Sequence, residues 1–364
     1  MIAALLCIVN ACASTARIGP AMQERAWRTY LGAPERAGAA RESLSADPQP
    51  VWRTDLGRGI IGAPAVTEDV VAIAQVDRQV ALLDRATGEV IWRRRVPANL
   101  GTGPLISDDR IFAATQTSDG RVYALRLPSG RTAWSVAAGD VVAPLTLEGA
   151  GLYVASSTGW VMRLGTGTGS RVWRTRVTGA VRASPTLAGG ALVVATAADS
   201  LFALDAQTGA VLARRSTRGT VLAAPALADS LVIAGTSDGR LEAFEPRSLL
   251  VRWSLDLEGP VVGHVAVREG TAFALAGRGT LWAIPLADPG AARRLELGVV
   301  TRAGPAPAAG GVFIAAVGGE ITLVDAAGVR RWGTRLDAPV TEPPIVDNRT
   351  ILAVSQKGEV VAYR

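Results

Sequence analysis

The 364-residue sequence is poor in the residues on which most enzyme chemistry depends. It has two cysteines, one histidine and one lysine, Lys357, beside 37 arginines. Both cysteines, Cys7 and Cys12, fall in the first dozen residues, so the body of the chain holds neither a disulfide nor a thiolate metal site. A single histidine, His264, leaves no base for a serine or cysteine triad elsewhere and makes a poor metal site. The one G-x-S-x-G string, "GTSDG" (235–239), falls between two short strand runs with no helix after it, so it makes no nucleophile elbow. No apolar run in the body is long enough to span a bilayer. No run of basic residues exceeds the "RRR" at 93–95, so the net charge of +6 is a weak footprint for nucleic acid. The arginine excess suits an acidic partner, an anionic lipid surface or mere codon usage equally well.

The N-terminal "MIAALLCIVNACAST" is a short apolar stretch ending in small residues, the pattern of an export signal. Residues 9–12, "VNAC", resemble a bacterial lipobox, which implies a signal peptide over 1–11 and lipidation of Cys12. Cleavage after "ACA" (11–13) by ordinary signal peptidase is the alternative. Residues 12–49 are rich in Ala, Arg, Pro and Ser without sustained periodicity and read as a flexible tether.

From Trp52 onward the chain repeats. Trp52, Trp92, Trp134, Trp173, Ala213, Trp253, Leu295 and Trp332 occupy one phase of a period near 40 residues. Prolines keep step at Pro64, Pro104, Pro144, Pro185, Pro225, Pro305 and Pro343, with His264 in the remaining repeat. A third marker is the strand before a turn, as in "QVALLD" and "SLFALD". Four short alternating or β-branched runs per unit predict an all-β fold, an eight-bladed β-propeller of four-stranded antiparallel blades over 50–364. In "ALLDRATGEVIW" (81–92), Asp84 is expected to accept backbone N–H groups of the turn and Gly88 to supply its positive φ. Asp205 and Gly209 repeat the pair, and the tryptophan is expected to bury its face against a neighbouring blade. The last unit lacks a fourth strand and "VWRTDL" (51–56) lacks the other three, so the N-terminal strand is expected to complete blade eight.

The repeat "DxxTGxxxW" and the phrase "WRTYLGAPERAG" (27–38) resemble the PQQ-like, quinoprotein-type propeller repeats. The lipobox-like start, "VWRTDLGRGIIG" (51–62) and "EPPIVDNRTILAVSQKGEVVAYR" (342–364) resemble more narrowly the BamB-like outer-membrane assembly lipoproteins. That resemblance implies a non-enzymatic scaffold, lipid-anchored on the periplasmic side of the outer membrane or else soluble in the periplasm. It implies a protein partner, a BamA-like barrel insertase, and neither cofactor, metal, nucleic acid nor small-molecule substrate. The alternatives are a propeller subunit of another envelope complex, or a quinone- or sugar-binding enzyme or sensor. A quinoprotein dehydrogenase would need Glu/Asn/Asp calcium ligands and usually a vicinal disulfide, whereas this body has no cysteine and only Asn99 and Asn348. "GTGTGS" (165–170) does not follow G-x-G-x-x-G and reads as a turn.

What remains is a surface built from the connections between blades. Three residues before each proline stand Ile61, Gly101, Val141, Arg182, Leu222, Val261, Arg302 and Val340. Arg182 and Arg302 break an apolar pattern, and a charge at such a position is costly unless it reaches solvent or a partner. The BamB resemblance implies a docking arginine in the fourth connection; "VRASP" (181–185) matches, which carries the role onto Val181 and Arg182. The acidic contacts of the following loop have no counterpart, since "STRGTVLAAP" (216–225) contains no Asp or Glu.

Overall fold

The computed structural model describes residues 47–364 apart from Asp108 and Asn348. The expected signal segment, Cys12, most of the tether and the phrase at 27–38 lie outside the described residues. The described chain forms eight four-stranded antiparallel sheets, joined in a ring. Blades 1 to 7 span 60–95, 105–137, 146–176, 186–216, 226–256, 266–296 and 306–335. Blade 8 combines 345–363 with the strand Pro50–Asp55. A single-turn 3-10 segment, Pro289–Ala291, is the one helical interruption among the described residues. None of the described helical structure is long enough to cross a membrane.

The sequence explains the layering within each blade. Second strands such as Val70–Gln75, "VVAIAQ", are buried along their whole length, because both faces pack against neighbouring blades. Outer strands such as Pro50–Asp55 alternate exposed and half-buried residues, one face turned to the next blade and one to solvent. Apolar clusters therefore lie between blades rather than within them; one links Tyr153 and Trp173 of blade 3 to Val194 and Phe202 of blade 4.

The turn phrase is the joint. Asp84 Oδ1 accepts the N–H groups of Ala86 and Thr87, both at 2.9 Å, and the Thr87 hydroxyl at 3.0 Å. Asp205 repeats this with Gln207 and Thr208, and the Thr208 backbone and hydroxyl bonds hold its carboxyl below the usual carboxylate range. Gly209 adopts φ +74° and lies flat under the Trp173 indole, where a Cβ would come within 2.6 Å of the ring. Gly88 does the same under Trp52. Each indole then donates its Nε1–H to a turn carbonyl of the following blade: Trp52 to Arg85, Trp92 to Leu127, Trp134 to Thr166 and Trp173 to Ala206, at 2.9–3.1 Å. Trp253 packs half-buried against the cluster joining blades 5 and 6.

Ring closure is made by strand pairing. Pro50–Asp55 runs antiparallel to Glu359–Tyr363, with Trp52 opposite Ala362. Gln49 and Arg364 exchange both backbone hydrogen bonds at 2.9 Å, and Trp332 of blade 7 donates to the Pro48 carbonyl at 3.0 Å. The chain is thus held from Pro48, two residues before the expected boundary. No sheet edge is left open at the seam, which removes a template for edge-to-edge association.

Candidate functional site

The strand register corrects the proline column. The residue pairs that open each inner hairpin are Ala65↔Ala72, Leu105↔Phe112, Thr146↔Tyr153, Thr186↔Val193, Ala226↔Ile233, Ala266↔Phe273, Ala306↔Phe313 and Ile345↔Leu352. Counting back one residue gives Pro64, Pro104, Leu145, Pro185, Pro225, Val265, Pro305 and Pro344. Pro144, His264 and Pro343 stand one place earlier, in a ring shared with Ser184 and Gly304, so His264 does not replace a proline. A spacing count cannot see a one-residue offset where Pro144 precedes Leu145 and Pro343 precedes Pro344.

The same offset sorts the connections between blades into two rings. Leu100, Val141, Val181, Val221, Val261 and Val340 are buried and wedge the connections onto the core. Next to them come Ile61, Gly101, Val142, Arg182, Leu222, Val262, Arg302 and Thr341, of which Arg182, Leu222, Val262 and Arg302 are exposed while Ile61 packs against the core of blades 1 and 2. Val181 is fully buried between blades 3 and 4, so it supports the loop from beneath and presents no surface to a partner. Arg182 and Arg302 are exposed, and neither forms an ion pair among the described residues.

These two arginines line one cavity of about 190 Å³ at the mouth of the central channel, together with Leu222, Val262, His264 and Glu342. They stand three blades apart in a ring of eight, at the two ends of one arc of the rim. Between them Leu222 and Val262 remain 47% and 42% exposed, an aliphatic step flanked by cations on four successive blades. His264 forms part of the floor. Its Nε2 lies 3.1 Å from the Pro305 carbonyl, and burial pushes its pKa down to about 4, so the ring is neutral at physiological pH. Gly304 packs against the imidazole, where any Cβ would collide with it. Burial pushes the Glu342 carboxyl up to about 7, so its charge is partly withheld near neutrality.

The spacing in the sequence picks out Arg182, Leu222 and Arg302, but gives the buried Val141, Val261 and Val340 where the register puts Val142, Val262 and Thr341. It missed Glu342, the only carboxylate in a ring otherwise made of Gly62, Thr102, Ala143, Ala183, Ala223, Gly263 and Ala303.

Chemically, the mouth offers two cations, an aliphatic step and one carboxyl of raised pKa. No group of three or more His, Cys, Asp or Glu side chains among the described residues is placed to hold a metal ion. That donor set does not fit a calcium-bound quinone.

Comparison with known proteins gives a consistent family. A family model described as outer membrane protein assembly factor BamB matches residues 42–157, 118–248, 157–288 and 271–364. Outer membrane protein assembly factor BamB of Burkholderia pseudomallei is 28% identical over 134 residues, 36% of this chain and 34% of that protein. The Marinobacter adhaerens protein of the same name is 35% identical over 89 residues, 24% of this chain and 22% of that protein. The matched stretches thus span 34% and 22% of those relatives. Among solved structures, BamB from Moraxella catarrhalis superposes with a TM-score of 0.73 at 18% identity, covering 87% of this chain and 99% of that one. The quinohemoprotein alcohol dehydrogenase of Comamonas testosteroni superposes with a TM-score of 0.79 at 12% identity, covering 93% and 80%. At such identities the structural likenesses speak for the propeller fold alone.

Proposed function

Because the chain belongs to the PQQ-repeat propeller family described as outer membrane protein assembly factor BamB, we propose that it is a non-enzymatic scaffold of the bacterial envelope. In this reading it supports the assembly of outer-membrane β-barrel proteins by holding a partner, a BamA-like barrel insertase, on the channel-mouth face. The observation that carries the reading is the arc Arg182–Leu222–Val262–Arg302: two guanidinium groups with no ion pair among the described residues flank exposed aliphatics on one rim. Such a surface suits a protein segment with apolar residues between carboxylates, because aliphatic burial supplies affinity and the charges fix register. Anchoring through a lipidated Cys12 would keep the scaffold at the periplasmic face of the outer membrane.

The test is affinity purification of the tagged full chain from solubilised membranes, with mass-spectrometric identification of co-purifying chains. The expected result is a barrel insertase as the stoichiometric partner, captured at least tenfold less by Arg182→Glu, the change a central interface arginine can cause. Stoichiometric recovery of a different envelope complex would assign the chain to that complex instead. Cys12→Ser should leave the protein in the soluble periplasmic fraction or as uncleaved precursor. If it still sediments with membranes after a high-salt wash, the anchor lies elsewhere.

A further inference from the structure

The two halves of the ring handle their outer-strand arginines differently. In blades 5 to 8, outer strands carry seven arginines. Five of these pair with carboxylates: Arg53 with Glu359, Arg252 with Glu245, Arg294 with Glu258, Arg331 with Asp325 and Arg335 with Glu320. In blades 1 to 4, outer strands carry eight arginines and no acidic residue. Among the described residues none of the eight is in an ion pair. The charge balance follows: residues 56–217 hold 17 basic and 12 acidic side chains, whereas residues 50–55 and 218–364 together hold 16 of each.

One strand position shows the contrast sharply. Where blades 5 and 7 place Arg252 and Arg331, each neutralised by an acid of the adjoining turn, blades 1, 3 and 4 place Ile91, Val172 and Leu212. These aliphatics are exposed. Blades 3 and 4 concentrate the pattern on two neighbouring strands, Arg171–Arg176 and Val211–Ser216. Here Arg171, Arg174, Arg176 and Arg214 are exposed beside Val172, Val211 and Leu212. Several guanidinium groups are held in place by rings: Arg174 lies 3.7 Å from the Trp160 centroid, Arg176 5.2 Å from it, and Arg214 5.4 Å from that of Phe202. Stacking fixes the planar group while leaving its N–H edges free to donate to phosphate oxygens.

We propose that the outer edge of blades 3 and 4 docks on an anionic lipid surface, the arginines engaging headgroup phosphates and the aliphatics reaching the interfacial layer. Unpaired cations interleaved with exposed aliphatics are the composition that binds anionic bilayer surfaces. Adjacent outer strands are turned by only an eighth of a circle, so a flat layer meets both. A nucleic acid is less well served, since the aromatic faces that bases would stack on are already covered by arginine. This proposal is independent of the partner reading above, because the edge lies on the perimeter and not at the mouth.

The test is co-sedimentation of the full chain, carrying Cys12→Ser so that no acyl chain contributes, with vesicles of phosphatidylcholine or of phosphatidylcholine with about a third phosphatidylglycerol. Binding is expected to the anionic vesicles only, and salt should weaken it. Replacing Arg174 and Arg176 by Glu should lower partitioning at least tenfold, at about fivefold or more per arginine lost. The matched reversal in the paired half, Arg331→Glu with Arg335→Glu, should change it less than about twofold, because these cations are already neutralised. If the first variant fails to fold, Arg171→Gln with Arg214→Gln gives the same readout away from Trp160. Equal binding to both vesicle types, or equal losses from both reversals, would overturn the proposal. Retention on an acidic protein or on nucleic acid without any vesicle binding would also overturn it.

Discussion

Between blades 3 and 4 the space above the turn glycine is filled by Trp173, whereas between blades 6 and 7 the same space holds Leu295. Trp173 is 8% exposed, lies 6.1 Å from the Tyr153 ring and donates to the Ala206 carbonyl. Leu295 is only half-buried against Gly328. The turn of blade 7 is also one residue shorter: Asp325 Oδ1 accepts the N–H groups of Ala327 and Val329, and no threonine hydroxyl joins them. The buried cluster there, Leu275, Leu281, Val312, Ile314 and Val324, is wholly aliphatic, and the one ring that packs against it, Phe273, is only half-buried. Yet both joints keep a strand ladder and a glycine of positive φ, at Gly209 and Gly328. The geometry of a joint is therefore set by backbone pairing and the turn, and its strength by what fills the gap.

The largest effect should come from emptying the stronger joint. Trp173→Ala removes an indole and a hydrogen bond to the next blade, and should lower stability by roughly 3–5 kcal/mol in denaturant titration. A loss below about 1 kcal/mol would mean that the aromatic joint is not what holds blades 3 and 4. Gly209→Ala attacks the same joint from below. It forces a β-carbon into the left-handed region and against the indole, for about 2–3 kcal/mol. The weaker joint should respond less: Leu295→Ala is expected to cost about 2 kcal/mol or less, the low end for a leucine that is only half-buried. In hydrogen exchange, the strands flanking Leu295 should open before those flanking Trp173.

The smallest effects belong to the channel mouth, which the joints hold in place. Folding raises the Glu342 pKa from 4.5 to about 7, so its contribution to stability is fully present below 4.5 and is lost as pH rises through 7. Glu342→Gln should therefore show a smaller fall in melting temperature between pH 5 and pH 8 than the parent. An unchanged fall would remove Glu342 as its source. Arg182→Glu, on an exposed loop with no ion pair to break among the described residues, should leave the melting temperature within a few degrees. Unfolding of this variant would make Arg182 a structural pin and displace the proposed docking face.

The sequence alone determined the repeat, the number of blades and the way the ring closes. These rest on local rules that recur eight times: strand alternation, turn chemistry around residues such as Asp84 and Gly88, and a tryptophan in a fixed phase. Averaged over eight copies, such signals survive the loss of any one of them, as Ala213 and Leu295 show. Tertiary structure decided what no spacing count can resolve. Through strand register it placed His264 one residue inside the proline ring, turned Val181 and Val261 inward and left Val262 facing out. It also brought Arg182, Arg302 and Glu342, far apart in the chain, to one opening, and it showed which arginines are neutralised by carboxylates and which stand alone. Side-chain direction along a strand reverses with each residue and charge pairing spans blades, so both depend on exact register and ring geometry, which exist only once all eight sheets have closed.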